Sequence, residues 1–243
     1  FIGILKKDFR NNYMTKNFLH TIDNRTPFVY FPLQVMPERT VLISSPFNTN
    51  QIEIIKHISK SLPIGYRLCV KEHPYQVTRE WRKTSFYNEI LSIPNVQLLH
   101  HSIKTEDVMN KCSLVITING AAGLEAAMHR KPSILFSDFS YSILPSVHQL
   151  KSIDELPTAI RQSLSKKVNP NDVAKYLKLL EDNSFDFDMV GFDLDYHNYF
   201  YHGGSLLDVS IPEEKVRQFI KKHESSLNLV ADEFIKKIEC FEK

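Results

Sequence analysis

A segment of small residues near the middle of the chain has the residue types that hold a phosphate group. The apolar run 113–116 leads into Thr-Ile-Asn-Gly-Ala-Ala-Gly-Leu-Glu over 117–125, which predicts a strand, a tight turn and the start of a helix. Such a junction presents unpaired backbone N–H groups and the positive end of a helix dipole. Gly120 and Gly123 allow close approach to the backbone, by a ligand or equally by a packed strand. Glu125, one turn into the helix, is placed to accept hydrogen bonds from ribose hydroxyls.

Two other apolar runs also end in polar residues. The run 66–70 is followed by Lys71, His73 and Pro74. A lone histidine at this point would be a surface or capping residue, but a histidine near a lysine is suited to binding an anion. The loop after the first apolar run contains Glu38, which is either a general base or a solvated loop residue. In an open α/β sheet, ligands bind outside the carboxyl ends of the strands. The three loops together therefore indicate a nucleotide or nucleotide-sugar site.

Apolar runs alternate with helical patterns along the first two thirds of the chain. This order predicts βαβ units and hence an α/β fold with a Rossmann-like, doubly wound parallel sheet, followed by a helical carboxy-terminal extension. We predict strands at 28–31, 66–70, 96–99, 114–118 and 133–136, and helices at 51–62, 85–92, 105–110, 120–130, 153–165 and 171–182. The predicted domains are a linker or amino-terminal helix at 1–27, a nucleotide-sugar-binding domain at 28–165 and a helical and aromatic extension at 166–243.

The last quarter of the chain is aromatic and then amphipathic. Seven aromatic residues fall within 185–201 with little regular periodicity, and apolar residues at helical spacing predict one long helix over 212–241. Because exposed apolar surface marks interfaces, we expect 185–241 to bind a missing amino-terminal domain or a second copy of the chain. The alternative is that both segments fold back on the core. Lysines beside the apolar stripe also leave a peripheral membrane role open.

Composition and charge exclude several classes of protein. The 243 residues are 42% hydrophobic and 24% charged with a net charge of +2, which fits a globular protein and argues against nucleic-acid binding. No run reaches the roughly 20 apolar residues of a membrane span. The carboxylates within 186–195 alternate with apolar residues, and His100-His101 has no neighbouring ligand, so we predict no metal site. The sequence has three cysteines without paired spacing, Cys69, Cys112 and Cys240, which predict free thiols and hence a reducing compartment. We therefore expect the protein in the cytoplasm, either free or peripheral at the inner membrane face.

These motifs resemble the bacterial capsule polysaccharide biosynthesis proteins, including the Kdo transferases of capsule and lipopolysaccharide assembly. They are also similar to the nucleotide-binding half, the carboxy-terminal domain, of GT-B glycosyltransferases. Four motifs carry the resemblance: a proline-containing loop with a glutamine and an acidic residue at 31–38, Lys-Glu-His-Pro at 71–74, the turn at 117–126, and Lys-Pro at 131–132. The segment 137–141 departs from the family pattern, as does the replacement of a glycine before Lys-Pro.

The resemblance implies a metal-independent glycosyltransferase with no cofactor beyond its nucleotide-sugar donor, a CMP-linked sugar, and with a glycan acceptor. It implies that the histidine of the His-Pro pair holds the donor phosphate, that the glutamate of the turn contacts ribose, and that the acidic loop residue is catalytic. The implied catalytic residues are Glu38 and His73, and the implied nucleotide-binding residues are Lys71, His73, Pro74, Thr117, Asn119, Gly120, Gly123 and Glu125.

Two other functions fit the same residues. Sugar-nucleotide 2-epimerases share the GT-B fold but need several acid–base groups near the sugar, and the sequence offers one candidate, Glu38. The other is a non-catalytic nucleotide-binding or scaffolding domain of a polysaccharide assembly complex. Because GT-B enzymes also need a second Rossmann-like domain, we expect this chain to be the donor domain of a longer enzyme.

Overall fold

The computed structural model describes residues 2–23, 25–76, 82–201 and 210–241, with side chains described from residue 9 onwards. The chain divides into two compact units, Phe1–Leu177 and Lys178–Lys243. The first unit contains the sheet and every residue of the predicted nucleotide site, and the second contains helices.

A six-stranded parallel sheet forms the centre of the first unit, which confirms the predicted Rossmann-like, doubly wound fold. Its strand order is β3-β2-β1-β4-β5-β6, so the order reverses between β1 and β4. The strands are β1 (Phe28–Pro32), β2 (Arg67–Lys71), β3 (Val96–Leu99), β4 (Leu114–Thr117), β5 (Ser133–Leu135) and β6 (Val147–Gln149). The sixth strand was not predicted, because its three residues Val-His-Gln contain no apolar run.

Helices connect the strands and cover both faces of the sheet. In chain order they are α1 (Ile2–Asn17), α2 (Arg39–Leu42), α3 (Gln51–Ser61), α4 (Thr84–Leu91), α5 (Thr105–Lys111), α6 (Ala122–Met128), α7 (Leu156–Leu164) and α8 (Pro170–Asp182). Short 3₁₀ turns lie at Pro46–Asn48, Ser140–Ile143 and Ile153–Glu155. The helix predicted from 120 begins two residues later, and the one predicted from 153 starts as a 3₁₀ turn.

Burial on both faces explains why the central strands were visible in the sequence. Along β1, Val29 and Phe31 join the apolar cluster on one face, whereas Phe28 and Tyr30 join the cluster on the other. A strand covered on both sides reads as a continuous apolar run. Polar residues therefore first appear where each strand leaves the core, at its carboxyl end.

The second unit differs from the prediction in two places. Residues 185–201 are not irregular: Met189–Phe200 form helix α9, capped by Asp188, whose carboxylate accepts from Gly191 N at 2.9 Å. The long helix predicted over 212–241 is two helices, α10 (Glu213–Lys222) and α11 (Glu224–Phe241). The break lies at His223, which has non-helical backbone angles and a ring 4.6 Å from that of Phe219.

Aromatic rings form the interior of this second unit. The ring of Phe219 lies 5.5 Å from that of Phe192, 5.4 Å from that of Tyr199 and 5.0 Å from that of Phe200. The partners on α9 are seven and eight residues apart, which is the spacing of one helix face. The aromatic segment thus had a helical period that its acidic residues obscured.

Candidate functional site

A cavity of about 220 Å³ opens between the loops that follow β1, β2 and β4. It lies where the strand order reverses, the position at which doubly wound sheets bind ligands. The residues that line it are Tyr30, Pro32, Gln34, Lys71, Glu72, His73, Pro74, Thr105, Met109, Gly120, Ala121, Ala122 and Glu125.

The structure brings together five of the residues that the sequence proposed for nucleotide binding. Lys71, His73, Pro74, Gly120 and Glu125 all line this cavity, although they come from two separate loops of the chain. The other proposed residues do not line it. They are Glu38, Thr117, Asn119 and Gly123.

Lys71 places a buried cation in the cavity wall. Its Nζ donates to Ile103 O at 2.6 Å and to the Thr105 hydroxyl at 3.1 Å, which leaves one of its three protons for a ligand. No carboxylate among the described residues pairs with it, and burial lowers the pKa of the ammonium. An anion at this point would relieve the cost of burying an uncompensated charge.

Glu72 fixes the loop that carries the histidine. Its carboxylate is buried and accepts from His73 N at 2.8 Å, Arg82 Nε at 2.9 Å and the Tyr87 hydroxyl at 2.7 Å. Burial and the carboxylate together raise the pKa of Tyr87, so the phenol stays a donor. Because Arg82 neutralises Glu72, this carboxylate does not oppose an anion in the cavity.

His73 has one ring nitrogen committed and one available. Nδ1 accepts from the backbone N–H of Tyr75 at 3.2 Å. A nitrogen that accepts carries no proton, so the neutral ring is protonated on Nε2. His73 therefore offers an N–H donor at Nε2.

The loop after β1 is held by reciprocal glutamine contacts. Gln51 accepts from Gln34 N at 2.8 Å and donates to Gln34 O at 3.0 Å. The Gln34 amide nitrogen donates to Pro32 O at 3.3 Å and to the Thr117 hydroxyl at 3.2 Å. Since a carbonyl only accepts, the Pro32 contact fixes which end of the Gln34 amide is nitrogen. Thr117 is fully buried and acts on the cavity by orienting Gln34.

Glu38 and Asn119 lie at the start of helix α2. Glu38 is its N-cap residue, and its carbonyl accepts from Leu42 N at 3.0 Å. The Asn119 amide donates to Thr40 O at 3.3 Å, which ties the glycine turn to this helix. The Asn119 side-chain oxygen is buried, and no described residue donates a hydrogen bond to it.

The two glycines of the turn have different surroundings. A Cβ added to Gly120 would lie 3.1 Å from the Gln34 amide oxygen, at the cavity. A Cβ added to Gly123 would lie 2.6 Å from the ring of Tyr141, which is fully buried and donates its hydroxyl to Gly120 O. Gly123 thus permits close packing of α6, the alternative that the sequence left open. The importance of Tyr141 was missed, because it follows β5 in a loop without a recognisable pattern.

Glu125 and Tyr30 complete the wall on the side of α6. Glu125 is exposed in the first turn of the helix. Tyr30 is buried, and desolvation, Cys112 and Glu125 raise the pKa of its phenol in that order. The cavity therefore combines a lysine, a histidine and a phenol as donors with one free carboxylate at its rim.

A stack of histidines lies beyond the site at the end of β3. The ring of His100 lies 4.3 Å from that of His20 and 4.0 Å from that of His101. Burial, followed by the two neighbouring rings, lowers the pKa of His100 to about 4. Across the described parts of the chain, no three histidine, cysteine or acidic side chains are arranged to hold a metal ion.

The fold and the cavity define a Rossmann-like α/β protein with a cavity at the switch point of its sheet, lined by a lysine and a histidine. Residues 5–168 match the profile of the family described as Capsule polysaccharide biosynthesis protein. Because this match spans more than half of the 243 residues, the chain belongs to that family.

Solved structures with a similar fold include sugar-nucleotide enzymes. The UDP-GlcNAc 2-epimerase from Methanocaldococcus jannaschii shares 16% identity at a TM-score of 0.46, over 66% of this chain and 46% of its own. The KpsC beta Kdo 2,7 transferase of Thermosulfurimonas dismutans shares 15% at a TM-score of 0.43, over 64% and 52%. This chain thus matches about half the length of those proteins, and similarity at this level transfers neither a substrate nor a residue role. No curated protein sequence matches the chain.

Proposed function

We propose that this chain is the donor-binding domain of a glycosyltransferase of capsule or surface polysaccharide biosynthesis, and that its donor is a CMP-linked sugar. The observation that carries the proposal is the cavity in which the unpaired Lys71 ammonium, the His73 N–H and the start of α6 meet. Membership of the capsule biosynthesis family supports the class of reaction. The choice of CMP follows the resemblance of the His-Pro pair.

The proposed reaction forms a glycosidic bond and breaks the bond between the sugar and the nucleotide phosphate. The acceptor hydroxyl loses its proton to a base, for which Glu38 is the proposed residue. The departing phosphate gains negative charge, which Lys71 and His73 stabilise by charge-assisted hydrogen bonds. Lys71 supplies the positive charge and His73 a neutral N–H donor where a metal ion would otherwise be required, so we propose a metal-independent transfer.

The carboxylates of the cavity favour transfer over epimerisation. An epimerase must move a proton on the sugar with acid–base groups of its own. Of the two carboxylates that line the cavity, Glu72 is already engaged by three donors. Glu125 remains, and its place in the first turn of α6 suits a ribose contact.

Binding of CMP tests the proposal directly. A ligand at about 100 times its dissociation constant stabilises a folded protein by about 2.7 kcal/mol. When CMP, UDP and GDP are compared in a thermal-shift measurement, CMP should therefore raise the melting temperature by about 5 to 10 °C. His73→Ala should remove most of that rise without lowering the melting temperature of the unliganded protein. His57→Ala, at an exposed position of helix α3, is the matched control. Equal CMP binding by the His73 variant would contradict the proposal.

A ribose contact predicts a difference between nucleotide and phosphate. Glu125→Gln should weaken CMP binding more than binding of inorganic phosphate, because only CMP carries ribose hydroxyls. Both affinities can be measured by isothermal titration calorimetry. Equal losses for the two ligands would argue against a ribose role for Glu125.

The partner of the carboxy-terminal unit stays a prediction. Phe234, Ile238 and Phe241 lie at helical spacing on α11 and are 64%, 57% and 90% exposed. None of the described helices has the length and apolar character needed to cross a membrane. Deleting 212–243 and measuring the mass in solution tests the expected interface. Loss of an oligomer with the sheet still folded supports it, and an unfolded sheet contradicts it.

A further inference from the structure

A second cavity, of about 550 Å³, lies on the other side of the Glu72–Arg82 ion pair. Glu72 lines the nucleotide cavity, whereas Arg82 lines this one, and their side chains are 2.9 Å apart. The wall comes from the loop after β1, from α3 and from the start of α4. The proposed donor site does not use this cavity, although Met36 and Pro37 of its wall belong to the loop motif at 31–38.

The wall combines an apolar surface with unpaired polar groups. Met36, Ile52 and Phe86 supply the apolar part, and the Phe86 ring lies 4.7 Å below the Arg82 guanidinium. Lys83 and Ser85 also line the cavity, and neither side chain has a hydrogen bond or ion pair with the described residues. An apolar wall with a few free polar groups is typical of a small-molecule site.

Hydrogen bonds and an ion pair hold parts of this wall in place. Gln76 accepts from Met36 N at 2.8 Å and donates to Met36 O at 2.7 Å, which holds the β1 loop. Glu89, the one carboxylate among the described residues of the wall, is paired with Lys56 at 3.0 Å. Within the described part of the wall, the unpaired charge is therefore the ammonium of Lys83. A preformed wall lowers the entropic cost of binding.

We propose that this second cavity binds an acidic sugar: a pyranose ring packs against Ile52 and Phe86, and its carboxylate is held by Lys83 and the Ser85 hydroxyl. A sugar ring presents an apolar C–H face and polar edges, which matches this division of the wall. Insofar as this sugar is the acceptor, the inference rests on the proposed transferase function. Glu38, the proposed base, directly follows the wall residue Pro37.

The test is a set of separate titrations of the full chain with glucuronic acid, glucose and acetate, each monitored by ¹H–¹⁵N NMR. Glucuronic acid should shift the amide signals of Met36, Ile52, Ser85 and Phe86. Glucose should bind about three to five times more weakly, because it lacks the charge that pairs with Lys83. Lys83→Ala should weaken glucuronic acid by the same factor and leave glucose unchanged. Lys60→Ala, an exposed lysine outside the cavity, is the control.

Three results with the sugars would overturn the inference, and a fourth concerns acetate. They are the absence of shifts at about 50 mM glucuronic acid, equal binding of glucose and glucuronic acid, and shifts confined to the nucleotide cavity. Acetate alone matching glucuronic acid would show a plain anion site and would also overturn it. CMP added to the same sample reports on His73 and Gly120 separately, so failure of CMP to bind rejects the proposed function while this site stands.

Discussion

Replacing Gly123 with alanine tests the packing that holds the glycine turn. The new methyl group would lie 2.6 Å from the Tyr141 ring carbon and hydroxyl. Tyr141 has no room to retreat, because its side chain is fully buried and its hydroxyl is bonded to Gly120 O. The carbonyl of Gly123 is held from the other side by the Ser133 hydroxyl at 3.2 Å. The clash must therefore move α6 or distort the aromatic ring.

Two opposing effects set the size of the loss. Overpacking of a fixed core costs about 1 to 3 kcal/mol, and the immobile ring places this site at the upper end. Alanine in a helix gains up to about 1 kcal/mol over glycine. The net expectation is a loss of about 2 kcal/mol, which lowers the melting temperature by about 4 to 8 °C for a chain of this size.

Thermal unfolding followed by circular dichroism measures this loss, and Gly120→Ala is the matched comparison. Its Cβ would meet the Gln34 amide oxygen at 3.1 Å, so it should cost less stability but reduce CMP affinity more. Adding Tyr141→Leu to Gly123→Ala should cost less than the sum of the two single changes. An unchanged melting temperature for Gly123→Ala, or additive losses in the double variant, would refute the packing argument.

Three further predictions concern buried titratable groups. Burial and the neighbouring rings lower the pKa of His100 to about 4 in the folded protein, from its ordinary 6.5, so the unfolded state binds more protons between these two values. Lowering the pH from 7.5 to 5 should therefore reduce the free energy of unfolding, measured by urea titration, by about 2 kcal/mol, and His100→Phe should reduce this loss. Tyr87→Phe removes a 2.7 Å donor from the buried Glu72 carboxylate and should lower the free energy of unfolding by about 1.5 to 3 kcal/mol, measured by denaturant titration. Lys71→Met should weaken CMP binding about tenfold or more in calorimetry. It should keep the melting temperature nearly unchanged, because no carboxylate among the described residues pairs with the buried ammonium, and removing that buried charge offsets the lost bonds to Ile103 O and Thr105.

The sheet was predictable because its central strands are buried on both faces. Strands β1 and β4 are almost entirely apolar, and β2 has the apolar centre 68–70. The polar residues that follow these runs were predicted to share one edge. Lys71, His73 and Glu125 accordingly line one cavity, although up to 54 residues separate them along the chain. The short strand β6 has no such run and was missed.

The supports of the site were not predictable from the same pattern. Gln51 lies on the buried face of α3, and nothing in its position shows that its amide holds the backbone of Gln34. Tyr141 supports the turn across 21 residues of sequence. Such contacts depend on how elements pack, and a single sequence records only which residues are apolar and at what spacing.

The position of bound CMP tests the central claim most directly. A crystal structure of the chain with CMP should show the phosphate about 2.7 to 3.2 Å from Lys71 Nζ and His73 Nε2, with the ribose hydroxyls near Glu125. Density for CMP at any other place, or a phosphate that contacts neither Lys71 nor His73, would contradict the assignment of this cavity to the nucleotide.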